Sequence, residues 1–244
     1  MLCARGNKLD NMKEKIFIAG TDTEVGKTFI TQSLINAILH CDKQVFGLKP
    51  IASGAELIEG QWVNEDGQKI LDLTRRSPGF AQISYKEVNP LTFEPAIAPH
   101  IAAQEAGVEL SISELNRLIQ FPQSEYLLIE GAGGWLTPLN DTETYADWVE
   151  QKGVDVILVV GMKLGCLNHA MLTVRDIERR GLKLRGWVAN FVYGEMNRSE
   201  QNLDWLTKNI SAPCLGVIPF QESSDLQDAD IDTASGLLNL QILL

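Results

Sequence analysis

A lysine and a threonine that follow a glycine give the first indication of chemistry in this sequence. Residues 20–28 read GTDTEVGKT and lie between an apolar run, 16–19, and an amphipathic pattern that starts at Phe29. In this strand–loop–helix context, backbone N–H groups and the helix N-terminus bind phosphate, the lysine reaches the outer phosphates and the threonine hydroxyl faces Mg²⁺. Five residues rather than the usual four separate Gly20 from Gly26, but the core Gly26-Lys27-Thr28 is intact.

Three more charged residues stand where they could join this site, and each has a plainer interpretation. Glu130 ends an apolar strand, where an acid commonly holds Mg²⁺, or it merely solvates the strand end. Lys49 closes another strand and could stabilise a transferring phosphoryl group, or it is a surface lysine before Pro50. Asp66 is either a second metal-facing carboxylate or an acid that caps the start of a helix.

Small residues at other strand ends could contact ligands. Gly131, Gly133 and Gly134 allow close approach of backbone to a ligand, or form a simple turn. The segment Gly165–Asn168 opens a helix, and its free N–H groups could hold the carboxylate of a small acidic substrate. The sequence has no Ser–His–Asp set and no His pair at metal-binding spacing. The predicted chemistry is therefore phosphoryl transfer by positioning and charge neutralisation.

Alternating strand and helix patterns must position these groups. Strands are predicted at 16–19, 44–49, 125–130, 154–160, 184–191 and 213–218. Helices are predicted from residue 29 and at 66–76, 99–107, 111–120, 144–152, 166–181, 198–209 and 231–244, with 51–60 and 89–99 as irregular loops. This alternation predicts an α/β fold with a doubly wound, mostly parallel sheet and helices on both faces. Ligands then bind beyond the carboxyl ends of the strands.

Composition limits the remaining possibilities. The chain has 244 residues and 45% hydrophobic residues, which suits one α/β domain at 15–244 behind a polar, disordered extension at 1–14, where Met12 is a possible start. A net charge of −11 argues against nucleic acid and anionic membranes as partners. No apolar run is long enough to cross a membrane. Four scattered cysteines predict reduced thiols in a cytoplasmic protein.

A series of motifs, in order along nearly the whole chain, resembles the dethiobiotin synthetase family, whose fold is P-loop NTPase-like. Besides the phosphate loop these motifs are KPIASG (49–54), NPLTF (89–93), PH (99–100), EGAGGWLTPL (130–139), ADWV (146–149), ILVVGMKLGCLNHAMLT (157–173) and GWVAN (186–190). The resemblance implies a ligase that uses ATP, Mg²⁺ and CO₂ to close a ring on 7,8-diaminononanoate, through a carbamate and a carbamic–phosphoric anhydride, in biotin biosynthesis. It also implies a homodimer.

The same resemblance implies residue roles, carried over position by position. Lys27 and Lys49 would be catalytic, and Thr28, Asp66 and Glu130 would surround Mg²⁺. The substrate would contact Thr23, Ser53, Gly165, Cys166, Leu167 and Asn168, the last four across the dimer interface. ATP would contact Glu24, Val25, Gly26, Lys27, Thr28, Phe29, Asp66, Glu130, Gly131, Ala132, Gly133, Asn190, Phe191, Pro219, Phe220 and Gln221, with Asn190 and Pro219 beside adenine.

The sequence departs from the family pattern in two places near the expected base site. Phe191 follows Asn190 where Asp is common, and Phe220 stands where Trp is familiar. These changes bear on nucleotide selectivity more than on the reaction.

Three other kinds of nucleotide-binding protein compete with this interpretation. A partitioning or positioning ATPase would carry an extra lysine early in the phosphate loop, where this chain has Thr21, Asp22 and Thr23. A related amidating enzyme of cobalamin synthesis would need an additional glutaminase domain, for which 244 residues leave little room. A non-catalytic nucleotide-binding module would bind ATP without turnover, and the presence of both lysines argues against it.

Overall fold

A six-stranded parallel sheet forms the centre of the protein in the computed structural model, which describes residues 14–194, 196–221 and 228–242. The elements in chain order are β1 (Glu14–Gly20), α1 (Lys27–His40), β2 (Val45–Leu48), β3 (Ile51–Ser53), β4 (Glu56–Ile58), β5 (Gln61–Val63), α2 (Glu65–Arg75), α3 (Tyr85–Val88), β6 (Leu91–Phe93), α4 (Pro99–Glu105), α5 (Ile112–Leu118), β7 (Tyr126–Glu130), α6 (Tyr145–Lys152), β8 (Asp155–Gly161), α7 (Cys166–Arg179), β9 (Leu184–Asn190), α8 (Ser199–Asn209), β10 (Cys214–Ile218) and α9 (Asp228–Gly236). A short 3₁₀ helix, Leu240–Ile242, ends the described chain.

The central sheet has the order β10-β9-β8-β1-β7-β2, with every neighbouring pair parallel. Its inner strands are almost entirely apolar because helices cover both faces, as parallel sheets require. The predicted doubly wound, mostly parallel fold is therefore confirmed. Two small two-stranded sheets, β3–β6 and β4–β5, accompany the central one.

The edge strand β2 is closed by side chains and backbone from neighbouring segments. The backbone N–H of Val45 donates to the Ser77 hydroxyl at 2.9 Å, and that of Gly47 donates to the Thr74 hydroxyl at 3.1 Å. The N–H of Lys49 donates to the carbonyl of Val88 at 2.8 Å. These bonds satisfy donors that an edge strand would otherwise expose, and they fix the strand end that carries Lys49.

Helix α1 leaves the phosphate loop and is held by its neighbours α2 and α9. The Asn36 amide, buried in α1, donates to Asp232 at 2.7 Å and to the Ser235 hydroxyl at 3.2 Å, both in α9. Asn64 caps α2 by accepting the N–H of Asp66 at 3.1 Å. The cap fixes where α2 begins, and hence where the Asp66 carboxylate lies in the first turn.

Several predicted boundaries were wrong. Glu14, assigned from the sequence to the extension, begins β1 and pairs with Tyr126, while residues 1–13 lie outside the described ones. The two segments that were predicted to be irregular loops contain short strands, because β3 in the first segment pairs with β6 in the second. The last predicted helix begins earlier, at Asp228, and ends at Gly236. Residues 243–244 of that prediction lie outside the described residues.

The carboxyl ends of neighbouring strands bring the chemically interesting residues together. Glu130 ends β7, the phosphate loop follows β1, and Lys49 follows β2, so three adjacent strands deliver one cluster. Among the described residues, no helix is long and apolar enough to cross a membrane.

Candidate active site

The phosphate loop closes around a glycine that no other residue could replace without movement. Gly26 has a left-handed φ of +82°, and an added Cβ would lie 2.2 Å from the Asn190 amide nitrogen. That amide is buried and donates to the carbonyl of Val25 at 2.9 Å. Asn190, at the end of β9, therefore holds the loop against the sheet. Helix α1 begins immediately after Gly26.

Lys27 lies in the loop with its ammonium group directed back to the loop backbone. Its Nζ donates to the Asp22 carbonyl at 3.1 Å, and its side chain is largely buried. Burial, and then the nearby charge of Lys49, lower the pKa of Lys27 to about 8. An ammonium that loses hydration without gaining a carboxylate partner is ready to accept an anionic one.

Lys49 is the centre of a buried charge cluster. Its Nζ contacts Glu130 Oε1 in a close ion pair, lies 3.5 Å from Asp66 Oδ2 and donates to the Gly131 carbonyl at 3.4 Å. Burial alone would lower the pKa of Lys49, but the charges of Glu130 and Asp66 outweigh it and raise this pKa. Lys49 therefore stays cationic in the site and is not the surface lysine of the plainer interpretation.

Glu130 is fully buried and only half satisfied. Its Oε1 accepts from the Thr28 hydroxyl at 2.8 Å as well as from Lys49, while its Oε2 has no partner among the described residues. A buried carboxylate oxygen without a donor is costly unless a cation or a proton meets it. Thr28, Asp66 and Glu130 thus form an oxygen-rich group that fits Mg²⁺. The described residues hold no cluster of three or more His, Cys, Asp or Glu side chains for a metal, and this group has two carboxylates and a hydroxyl.

A cleft of about 370 Å³ opens over the loop and this cluster. It brings together predicted residues from four segments of the chain. Its lining includes Thr23, Glu24, Gly26, Lys27, Thr28, Phe29, Lys49, Asp66, Glu130 and Gly133.

A second cleft of about 460 Å³ adjoins the first and shares Thr23, Glu24, Lys49, Asp66 and Gly133 with it. The rest of its wall is mostly apolar, and it includes the predicted residues Ser53 and Ala132. It is completed by Ile51, Ala52, Asn64, Ala96, Ile97, Ala98 and Pro99. One cleft that meets the phosphate loop and one that is largely apolar thus share a wall that carries the Lys49 ammonium.

Other predicted residues lie outside both linings. Val25 is buried in the core. Gly131 lies near the cluster, since its carbonyl accepts a hydrogen bond from Lys49. The turn before α7 has Gly165 at the N-cap with φ +96°, followed by Cys166, which is buried, then Leu167 and Asn168. The lining of neither cleft includes this turn.

The residues that were predicted to contact the adenine base lie together at the ends of β9 and β10. The N–H of Phe191 donates to the carbonyl of Ile218 at 3.0 Å, which ties the two strand ends together. Phe220 is half exposed, and the Gln221 amide donates to the Pro219 carbonyl at 3.4 Å. Val192, next to Phe191, lines the first cleft.

Sequence reasoning missed several cleft residues. Gln32 and Lys69 line the first cleft, and Asn64 lines the second. Lys69 lies three residues after Asp66, hence on the same helix face, which is a signal that the sequence contained. Gln32 lies on α1 one turn after Thr28, and Asn64 is the cap of α2. Their polarity in otherwise ordinary helix contexts carried no further signal.

Comparisons with known proteins bear on the family and the fold. The model of an AAA domain family matches residues 14–227. Among solved structures, a ParA family ATPase from Chlorobium tepidum TLS is similar with a TM-score of 0.50 and 14% identity, over 94% of this chain and 92% of that one. At this identity the likeness shows the fold alone.

Curated relatives are much closer in sequence. The chain is 45% identical over 218 residues to the ATP-dependent dethiobiotin synthetase BioD of Alteromonas mediterranea, covering 85% of this chain and 93% of that protein. It is 44% identical over 211 residues to ATP-dependent dethiobiotin synthetase BioD 1 of Escherichia coli K12, covering 86% and 92%. It is 42% identical over 211 residues to the Aromatoleum aromaticum protein of the same name, again covering 86% and 92%. With this identity over most of its length, the chain belongs to the family of ATP-dependent dethiobiotin synthetases.

Proposed function

We propose that this chain is a ligase that closes the ureido ring of dethiobiotin from 7,8-diaminononanoate, CO₂ and ATP. One amine traps CO₂ as a carbamate, whose oxygen attacks the γ-phosphorus of ATP and releases ADP. The second amine attacks the carbon of the resulting anhydride, closes the ring and expels phosphate. The observation that carries the proposal is the shared wall of the two clefts, where Lys49 faces both.

The triphosphate lies on the loop in this proposal. Backbone N–H groups from Glu24 to Phe29 and the start of α1 face its oxygens, as helix N-termini do for anions. Lys27 leaves the Asp22 carbonyl, 3.1 Å from its Nζ, for the outer phosphates. Burial destabilises the charged form of Lys27, as its lowered pKa indicates. Exchange of the carbonyl for a phosphate is therefore favourable, because the phosphate carries a full negative charge.

Thr28, Asp66 and Glu130 would hold Mg²⁺ beside these phosphates. The unpartnered Oε2 of Glu130 supports this assignment, since a buried carboxylate oxygen needs a cation or a donor. When bound, Mg²⁺ supplies charge neutralisation and orientation of the phosphate oxygens. Lys49 adds a cation that stays in place, because its ion pair with Glu130 is buried.

The diamine and its carbamate occupy the second cleft. The apolar wall suits the hydrocarbon chain, and Thr23 and Ser53 offer hydroxyls near the reacting end. The Ser53 Oγ is buried and has no partner among the described residues, which favours a ligand there. Lys49 then stabilises the charge that develops between carbamate and γ-phosphate during transfer.

The substrate carboxylate would meet the N-terminus of α7 in a second copy of the chain. The backbone N–H groups at that helix start come from Gly165, Cys166, Leu167 and Asn168, and the one of Cys166 donates to the carbonyl of Lys163 at 3.0 Å. A homodimer is supported by exposed leucines beside this turn, since Leu164 is 95% and Leu172 is 60% exposed. Such side chains gain free energy when a partner covers them.

The adenine base would contact the ends of β9 and β10. Asn190, Phe191, Pro219, Phe220 and Gln221 lie there, next to Val192 of the nucleotide cleft. The reaction belongs in the cytoplasm in this proposal. The cysteines at 41, 166 and 214 are free, which suits a reducing compartment.

Product analysis with isotopes tests the reaction. The purified protein is incubated briefly with diaminononanoate, Mg²⁺, ATP and bicarbonate labelled with ¹³C or ¹⁸O. The proposal expects dethiobiotin that carries the ¹³C, and ¹⁸O transferred to the released phosphate. Unlabelled phosphate formed without dethiobiotin would contradict it.

Omitting the diamine separates the proposal from its rivals. A ligase of this kind should release little phosphate without diamine, because the attacking carbamate is missing. A partitioning-type ATPase would hydrolyse ATP without it, and a binding module would bind ATP and turn over nothing under either condition.

A further inference from the structure

An ion pair outside the two clefts holds the first half of the phosphate loop. Lys163 Nζ lies 3.0 Å from Asp22 Oδ2. The other oxygen of Asp22 accepts the N–H of Thr23 at 2.8 Å. Lys163 lies between β8 and α7, so the pair joins two loops that are 141 residues apart in the chain. The hydrogen bond from Lys163 is the main reason that the pKa of Asp22 is lowered, which keeps this carboxylate charged.

Tyr193 completes the cluster from a third loop, after β9. The Lys163 ammonium lies 4.6 Å from the centre of the Tyr193 ring and 3.4 Å from its hydroxyl. That hydroxyl donates to the carbonyl of Thr23 at 3.4 Å. One lysine therefore contacts an anion and an aromatic face, both of which attract an ammonium group.

The loop segment held in this way is the one that the Lys27 ammonium contacts. The carbonyl of Asp22 accepts from Lys27 Nζ, while the Asp22 carboxylate is held by Lys163. Two residues later, Glu24 has a left-handed φ of +57°, which a residue other than glycine seldom adopts without support from its surroundings. Contacts from outside the loop therefore help to define its shape.

We propose that Lys163 is a positioning residue of the nucleotide site, which through Asp22 keeps the phosphate loop in the shape that receives ATP and presents Lys27. The inference rests on the proposed binding of ATP at this loop. It assigns Lys163 to the nucleotide rather than to the substrate carboxylate, although Gly165 is only two residues away.

Steady-state kinetics of the full chain test the proposal. The variants are Lys163→Met, Lys163→Arg, Asp22→Asn and the double variant Lys163→Met/Asp22→Asn. Lys208→Met is the matched control, because Lys208 is also a surface lysine near an aspartate, Asp204 at 3.9 Å, on a helix outside both cleft linings. KM for ATP and for diaminononanoate, kcat and the melting temperature are measured for each variant.

The expected pattern is specific to the nucleotide. KM for ATP should rise about five- to tenfold in Lys163→Met, as for loss of one partly exposed charged hydrogen bond. KM for the diamine should stay within twofold. Arg at position 163 should restore KM for ATP, and the double variant should be no worse than Lys163→Met, because both changes break the same contact.

Other patterns overturn the proposal. A rise in KM for the diamine alone would make Lys163 a group that binds substrate. Unchanged kinetics, or a lower melting temperature with unchanged KM for ATP, would make the pair only structural. If the unchanged protein does not bind ATP in calorimetry, the proposed function fails and this inference with it, whereas binding with no effect of Lys163→Met refutes the inference alone.

Discussion

Two clusters of charged side chains in this protein differ in how many of their charged groups have a partner within the protein. At the strand ends, Lys49 pairs with Glu130 and Asp66. Among the described residues, however, Glu130 Oε2 has no partner, and the Lys27 ammonium donates to a carbonyl and forms no ion pair. Between α6 and α7, Arg180 contacts three carboxylates, those of Asp176 at 2.7 Å and of Asp147 and Glu150 at 2.6 Å. Both clusters pair basic side chains with the carboxylates of aspartate and glutamate.

The difference distinguishes ligand-directed charge from structural charge. The Arg180 cluster is satisfied within the protein, since the indole N–H of Trp135 also donates to Asp176 at 2.9 Å. It lines neither cleft. The strand-end cluster has a carboxylate oxygen and an ammonium beside a cleft that could still bind a charged partner. A ligand bound there would lower the free energy of the cluster. Changes at the first cluster should therefore lower activity, whereas changes at the second should lower stability and leave activity almost unchanged.

Replacing Lys27 with Met should have the largest effect. Turnover should fall about 10²- to 10³-fold, because phosphate charge is left uncompensated in the transition state. The free energy of unfolding should not decrease, because the fold disfavours this buried ammonium, as its lowered pKa indicates. Steady-state kinetics and urea unfolding measure both quantities. Near-normal turnover would remove the distinction between the clusters.

Replacing Lys49 with Met should lower kcat about 10²-fold while the affinity for nucleotide changes only a few-fold, because the charge it stabilises develops during transfer. Calorimetry and single-turnover kinetics separate the two. The variant should also be destabilised by about 3–5 kcal/mol, since Glu130 is left buried without a countercharge. Adding Glu130→Gln should recover part of that stability. Equal losses in kcat and affinity would contradict the role in transfer.

Replacing Arg180 with Met should lower stability without lowering activity. The free energy of unfolding should fall by about 2–3 kcal/mol, less than for a fully buried pair, because Asp147 and Glu150 are partly exposed. Well below the melting temperature, kcat should stay within about twofold because no cleft residue is touched. Urea unfolding and steady-state kinetics of the same preparation test this, and a large loss of kcat without loss of stability would refute it.

Low pH should weaken the Arg180 cluster and lower the free energy of unfolding by a smaller amount. Hydrogen bonds from Arg179, Arg180 and Trp135 overcome the effect of burial and lower the pKa of Asp176 from 3.8 to about 2. A lowered folded-state pKa contributes stability above the unfolded value, which is lost as the pH falls from about 4 through 2. The stability advantage of the unchanged protein over Asp176→Asn should shrink by about 1–2 kcal/mol between pH 5 and 2.5. Equilibrium unfolding at several pH values measures this advantage, and a constant difference would contradict the assignment.

Local patterns in the sequence were sufficient to predict the main elements and the phosphate loop. The strand before Gly20, the glycine at position 26 and the helix that starts at Lys27 depend on neighbouring residues and on backbone geometry, which a sequence carries directly. The short strands β3 and β6 escaped prediction because each is stabilised by the other, about forty residues away. A pattern read along the chain contains no record of such a pairing.

Strand, loop and helix signals are local, so the sequence alone was enough to predict a phosphate-binding loop on a parallel α/β sheet. The contact of Lys49 with a carboxylate 81 residues away is visible only in the folded structure, and it excludes the surface interpretation of this lysine. The same holds for Asn190, which supports Val25 from another strand, and for Lys163, which reaches Asp22 across two loops. Burial and electrostatic pairing are properties of residues that meet in space.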